Sequence, residues 1–367
     1  MAAKIAFEAV GNSLNQWYGL IRQNNITEAA AMREEIKRTL DAMEENQDVL
    51  LYFNLIDSRF KLLTERYEES GTLLKNINKT PEEIGTDNMI QYYFYFFSGM
   101  YEFYKKDFIT AINFYKIAEH LLYKIPDEIE IAEFHYHLAI AYYEIRQNIF
   151  SLNHAEKALE SFQAHDEYTS KTLKSKMVIA ANYVDLQRFH EAEELYRKVY
   201  GEASAAGDFR SAGLACMNLG ICYERHDQLL EARQCFEKAL NIPEHRQSVF
   251  SLRSKYMLSR VLYKMGLYAE ARHWYQKAAS LASKKEQTEF QSKLFIIHSL
   301  YEKCDPDGID QGLKHLERQQ HWSDVADLAI NCAKYFKQEN NYVHSAKYFE
   351  KACYAKDQIF KLTEAVS

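Results

Sequence analysis

The sequence predicts an all-α chain, with an N-terminal three-helix bundle followed by a right-handed α-solenoid of paired helices. Three observations lead there. Only 12 Gly and 4 Pro interrupt 367 residues, so helix breakers are scarce. A pattern of small and aromatic residues recurs five times between residues 99 and 278, at a spacing of about forty residues. The first 68 residues lack that pattern but carry apolar residues at helical spacing.

In the N-terminal part, a helix is expected over residues 5–22, with Val10, Leu14, Trp17, Tyr18 and Ile21 on one face. A second is expected over 27–43 and a third over 48–67, the latter offering Leu51, Leu55 and Leu62 to a core. Short connections favour an antiparallel bundle over residues 1–68. Residues 69–88 are polar, hold Gly71, Pro81 and Gly85, and form the candidate hinge.

Residues 89–367 read as about seven helical pairs. The five clear copies are Gly99/Glu102/Ala111/Tyr115/Ala118, Ala139/Tyr142/Ser151/Ala155/Ala158, Ala180/Tyr183/Ala192/Tyr196/Val199, Gly220/Tyr223/Ala232/Phe236/Ala239 and Ser259/Leu262/Ala271/Tyr275/Ala278. This is the tetratricopeptide (TPR) pattern. Residues 286–320 keep a degenerate pair, with Asp305–Pro306–Asp307–Gly308 as a turn. The pattern returns with Ala333, Phe336, Ser345, Phe349 and Ala352. One such unit cannot bury its apolar face alone, whereas stacked units bury a continuous core and create a concave surface for a partner.

Composition narrows the function. Net charge is −7, which disfavours a general nucleic-acid binder. Residues 1–70 hold eight Lys or Arg against twelve Asp or Glu, a net of −4, which excludes a DNA-reading use of the three helices. No run of eighteen apolar residues exists, so no membrane span is expected. The N-terminus lacks the apolar core of a signal peptide, and a cytoplasmic protein is expected. Six cysteines without a CxxC pair fit free thiols. No HExxH, Cys/His, GxxxxGK[ST] or GxGxxG spacing occurs, so no metal or cofactor is expected in this chain.

Counting back from the small residues places Met217, Asn218, Tyr256 and Arg260 on the concave face, with Asp185 on the preceding unit. Acids dominate the earlier copies and bases the later ones, an arrangement that would orient a short peptide by its terminal charges. Asn218 can donate to and accept from a peptide backbone, and Asp185 can take an Arg side chain.

The stretches LNQWY at 14–18, MEENQD and LLYF within 43–53, YYFYFFSGMYEF at 92–103, DEIEIAEF at 127–134 and MNLGICYE at 217–224 resemble, over essentially the whole chain, the Rap proteins of bacilli. These are response regulator aspartate phosphatases and their relatives, controlled by Phr signalling peptides. The resemblance implies a cytoplasmic regulator of a bacterial response regulator in the sporulation phosphorelay. It assigns Gln47 to insertion into a phosphorylated receiver domain, and Glu45, Asn46, Asp48, Leu50, Asp127 and Glu130 to contacts with that partner. Any divalent cation would belong to the receiver. A carboxamide is no base near pH 7, but it can orient a water for in-line attack.

The same resemblance places the peptide's backbone clamp on Asn218, the acid for its basic side chain on Asp185, and loosely a further acid on Glu289. At residue 58, within Asp57–Ser58–Arg59–Phe60, an aromatic docking residue of the family is replaced by Ser. Two readings within the family stay open: a phosphatase, or a non-enzymatic antagonist that binds a regulator's DNA-binding domain. A TPR scaffold without a small ligand is the reading outside it. In either family reading, a bound peptide would let the bundle swing about residues 69–88 onto the repeats.

Overall fold

The structure, a computed structural model, describes residues 6–77 and 88–364. Among them helices are joined by short turns, and no β-strand is present. The chain forms two compact units, the first ending at Thr172 and the second beginning at Leu173.

The first unit contains α1 (Phe7–Arg22), α2 (Ile26–Leu40), α3 (Gln47–Leu63), α4 (Tyr67–Lys75), α5 (Asn88–Tyr104), α6 (Phe108–Glu119), α7 (Glu128–Glu144) and α8 (Asn148–Gln163). All five residues of the apolar face expected on α1 are buried. So are Leu51, Leu55 and Leu62 on α3. One core runs without a break from Val10 to Ile145. At its centre Tyr18 of α1 meets Tyr93 of α5 edge-on at 5.3 Å, and Tyr52 of α3 stacks on the same ring at 5.6 Å. Such ring pairs add to the stabilisation that burial already gives.

The second unit holds most of α9 (Thr169–Asp185), then α10 (Phe189–Ala205), α11 (Phe209–Arg225), α12 (Leu229–Asn241), the short α13 (Pro243–Gln247), α14 (Ser251–Lys264), α15 (Tyr268–Lys284), α16 (Thr288–His298), α17 (Pro306–Arg318), α18 (Trp322–Gln338) and α19 (Tyr342–Glu364). Its core is likewise continuous, from Leu173 to Ala355.

The repeat residues show why the pattern exists. A Cβ added at Gly220 would stand 2.8 Å from the Phe236 ring, and one at Gly99 would stand 2.5 Å from Tyr115. The small residue of one helix thus makes the hole that the partner helix's ring fills. Where one of the two small residues is Ser, its hydroxyl donates across the pair to the carbonyl of the other. Ser151 reaches Ala139 at 2.8 Å, Ser259 reaches Ala271 at 3.0 Å, and Ser345 reaches Ala333 at 2.9 Å. A buried hydroxyl is tolerated there because it is satisfied.

Each pair turns in the same way. The residue seven after the first small residue is left-handed: Lys106, Arg146, Gln187, Asp227, Gly266 and Asn340 all have φ between 59° and 75°. The next residue's N–H then closes back on the helix, for example Arg188 on Tyr183 O at 2.8 Å and Gln228 on Tyr223 O at 2.9 Å. This is the Schellman closure, usually made with glycine. Here only one of the six is glycine.

The structure departs from the sequence reading in four places. Residues 69–75 of the expected hinge belong to α4, whose Ser70, Gly71 and Leu74 are buried, while residues 78–87 lie outside the described residues. A bundle confined to residues 1–68 is not a separate compact body, because α1–α3 share their core with α5–α7. Pro306–Asp307–Gly308 is the first turn of α17, not a loop, since Pro at a helix start loses no hydrogen bond. In the last pair Phe349 is 40% exposed and Tyr348, at 0%, takes the ring position.

Gln187 is exposed and pays the steric cost of a left-handed β-carbon. Gln187→Gly should raise stability by up to about 1 kcal/mol in chemical denaturation. An unchanged or lower midpoint would show that the turn carries no strain.

Candidate functional site

The connection between α2 and α3 projects an acidic loop. Asn46, in extended conformation, accepts a hydrogen bond from Val49 N at 3.1 Å and so starts α3. Gln47 is the first residue of that helix and is exposed, as are Glu45 and Asp48. Leu50, one turn on, is 42% exposed. The carboxamide of Gln47 therefore stands at a helix N-terminus, where free N–H groups and the positive dipole end favour an anion. Ser58 does not belong to this surface. It is fully buried, and its hydroxyl meets that of Ser70 on α4 at 2.7 Å. A ring in its place would clash with α4.

Asp127 and Glu130 are engaged inside the first unit. Asp127 caps α7, accepting from Ile129 N at 2.9 Å and Glu130 N at 3.1 Å. Its other oxygen takes Arg22 of α1 at 2.6 Å. Arg22 also lies 3.5 Å from Glu130, which is fully buried and accepts from the Tyr92 hydroxyl at 3.0 Å. Burial pushes the Glu130 carboxyl up to about 7, against the pull of Arg22. Arg22 was not singled out from sequence; on α1 it reads as an ordinary charge in the last turn.

In the second unit two of the expected peptide residues, Asp185 and Arg260, join one ionic network. Arg260 is 3% exposed and bridges Glu224, at 2.8 Å, to Asp327. Lys264 also donates to Glu224. Arg225 reaches Asp185 at 3.3 Å and lies 3.9 Å from Asp327. Burial alone would raise the Asp327 and Glu224 carboxyls, but Arg260 and the neighbouring cations hold both below the usual range. The acid-to-base polarity expected along these helices is thus cancelled by pairing between repeats.

Met217 and Tyr256 are nearly fully buried, at 1% and 4% exposure, because their rings and thioether fill the space between helices. Asn218 is half-buried, with its amide 4.0 Å from the Met177 sulfur. Glu289 is separate from this network and pairs with Lys293 at 2.6 Å.

One group of described residues has metal-ligand geometry, Glu289, His321 and Asp324, with donor atoms within 4.8 Å of one another. The Lys293 ammonium already lies 2.7 Å from Asp324 and 2.6 Å from Glu289, and it supplies the positive charge there. All six cysteines are free thiols. Burial raises Cys216 and Cys222 to about 12, so neither is a nucleophile. None of the described helices is long and apolar enough to cross a membrane.

Removing Arg260 would strand two buried carboxylates. Arg260→Ala should cost about 3–5 kcal/mol. Because the folded carboxyls are depressed, the stability they carry is present above about pH 4 and is lost as pH falls through the lower folded values. Denaturant melts of wild type and variant between pH 3 and pH 7 check both points.

Comparison with known proteins completes the description. The sequence profile for the N-terminal part of response regulator aspartate phosphatase H matches residues 4–65, and a tetratricopeptide repeat profile matches residues 211–284. Response regulator aspartate phosphatase I of Bacillus subtilis (strain 168) is 31% identical, over 98% of this chain and 93% of that protein. A crystal structure of a Rap protein complexed with competence and sporulation factor superposes with a TM-score of 0.90 at 30% identity, covering 97% of this chain and 99% of that one. The Rap conjugation gene regulator of plasmid pLS20, in complex with the Phr* peptide, gives 0.74 at 33% identity, covering 99% of each chain.

Proposed function

The chain belongs to the Rap family of response regulator aspartate phosphatases and regulatory proteins, and from that premise we propose that it is a cytoplasmic, Phr-peptide-regulated inhibitor of a bacterial response regulator, acting as a protein-aspartate phosphatase on the receiver domain. The observation that carries the enzymatic reading is the exposed carboxamide of Gln47 on the first turn of α3.

In this reading Glu45, Asn46, Asp48 and Leu50 dock the receiver around its phosphorylated Asp. Gln47 accepts a hydrogen bond from a water and holds it in line with phosphorus. Water adds to phosphorus, the acyl oxygen leaves as the receiver's carboxylate, and dihydrogen phosphate is released. The divalent ion that balances charge at phosphorus belongs to the receiver. The peptide binds the second unit, with Asn218 on its backbone and Asp185 on a basic side chain; Met217, Tyr256 and Arg260, buried beneath that surface, support it from behind and do not touch the peptide as they stand, and Glu289 lies apart.

A second reading is a non-enzymatic antagonist bound to a regulator's DNA-binding domain, which the net charge of −4 on residues 1–70 suits because it mimics phosphates. Ser58, buried against Ser70, does not bear on the choice. Gln47→Ala separates the two. Loss of phosphate release from a phosphorylated receiver, with receiver binding retained, supports the phosphatase. Unchanged turnover removes Gln47 from the chemistry, and loss of promoter DNA from a regulator without any phosphate release supports the antagonist.

Glu130 is fully buried and Asp127 shares Arg22 with it, so a regulator that uses these acids competes with Arg22. Arg22→Ala should therefore tighten regulator binding several-fold in a pull-down or calorimetric titration, and weaker binding would count against competition. The link is also pH-dependent. Glu130 faces Arg22 and Tyr18 from α1, Tyr52 from α3, Tyr92 and Tyr93 from α5, and Asp127 and Glu133 on its own helix. Its carboxyl is raised to about 7 from an ordinary 4.5, so the stability it lends the closed arrangement is complete below 4.5 and lost as pH rises through 7. Hydrogen exchange in α1, corrected for intrinsic rate, should be faster at pH 8 than at pH 6, and Glu130→Gln should abolish the difference.

A further inference from the structure

Away from the network of Glu224, Arg260 and Asp327, the edge of the α14–α15 pair gathers cations that nothing neutralises. A shallow, open groove of about 560 Å³ runs along α15 beside α14, lined by Lys255, His273, Gln276, Lys277, Ser280 and Lys284 among others. His273, Lys277, Ser280 and Lys284 follow one another at four, three and four residues, which places them on one face of α15 over a length of about 16 Å. Lys255 enters from α14, where it is half-buried and donates to the Ser251 hydroxyl. It sits one residue before Tyr256 and so points about 100° away from the face that carries Tyr256 and Arg260.

The charge balance here differs from the rest of the unit. Arg225, Arg260, Lys264, Lys293, Lys347 and Lys351 each have a carboxylate partner. Lys255, Lys277, Lys284, Lys285 and Arg246 take part in no ion pair among the described residues. Lys277 instead lies over the Trp274 ring at 4.5 Å. Burial lowers the Lys255 ammonium, and Lys277, Lys285 and Arg246 lower it further, with no carboxylate offsetting them. In a chain of net charge −7, a cluster of one sign with no counter-charge is held against its own repulsion.

We propose that this groove is a binding site for a small polyanion carrying two or more phosphate groups. Three features select that class. The lining cations are lysines, which bind phosphate as mobile point charges and need no single planar geometry of the anion. The Ser280 hydroxyl and the Gln276 amide add neutral donors between them. The volume accommodates a nucleotide-sized molecule but not a folded domain, and linked phosphates put three or four negative charges into that space. The shared chemistry is the phosphate chain, whether inorganic or esterified to a nucleoside.

Calorimetric titration of the full chain with sodium tripolyphosphate, at fixed ionic strength, tests the site. Saturable binding that weakens with added salt is expected, together with at least a tenfold loss in the double variant K277Q/K284Q. Both lysines are exposed, so folding should persist, which circular dichroism checks. The control K198Q/K314Q removes the same charge from exposed positions on α10 and α17 and should bind as wild type. Adenosine triphosphate in a parallel titration separates the sources: tighter binding than tripolyphosphate assigns a nucleotide, and equal binding assigns the phosphate chain alone. No saturable binding, an equal loss in both double variants, or tighter binding of citrate or of duplex DNA than of tripolyphosphate would overturn the proposal.

Discussion

The repeats depend on one steric exchange, made in most pairs: a helix gives up its β-carbon, or keeps only a methyl or hydroxymethyl group, so that a ring from its partner can occupy the space. At Gly220 and Gly99 the exchange is tightest, since the rings of Phe236 and Tyr115 stand where a Cβ would be. Close approach of two helices at one point fixes their spacing, and the short turn then fixes their direction. With both set, the apolar faces left over can be buried only by the next pair. The rest of the second unit, including the charged residues on its inner helices, takes its positions from that sequence of constraints.

Much of this was legible in the sequence because the exchange needs particular residue types at fixed distances. Small residues twelve apart, with a ring four beyond in every copy but the second, where Ala155 stands, cannot be hidden by substitution, so five copies could be read directly. The face of α1 was equally visible, since Val10, Leu14, Trp17, Tyr18 and Ile21 repeat at the period of a helix whatever they meet. The last pair shows the limit. Tyr348 and Phe349 are adjacent rings, and only the direction of α19 decides that Tyr348 turns inward. Turn geometry was also hidden. Five of the six left-handed positions carry ordinary side chains, so the absence of glycine gave no sign of Schellman closures that backbone hydrogen bonds alone maintain.

The candidate sites divide along the same line. The exposed cluster at Gln47, Asp48 and Leu50 could be named from local sequence because it is local: a capped helix start with a polar first turn. Asp127, Glu130, Asp185 and Arg260 could be named, but their state could not. Each is held by a partner from 40 to more than 100 positions away, namely Arg22, Arg225 or Asp327. Pairing at that range is a property of the folded chain. Charges that read as a gradient along the sequence become closed ion pairs once neighbouring repeats are set side by side.

The arginine at the end of α1 has a consequence for measurement. An outside ligand that wants Asp127 and Glu130 meets molecules in which a tethered guanidinium already holds them. For a ligand that had to displace that guanidinium, the apparent dissociation constant would be the intrinsic constant divided by the fraction of chains whose acids are momentarily vacant. Two laboratories using different buffers could report different affinities for the same regulator without any contact having changed, because acidity and ionic strength act on that fraction and not on the encounter itself.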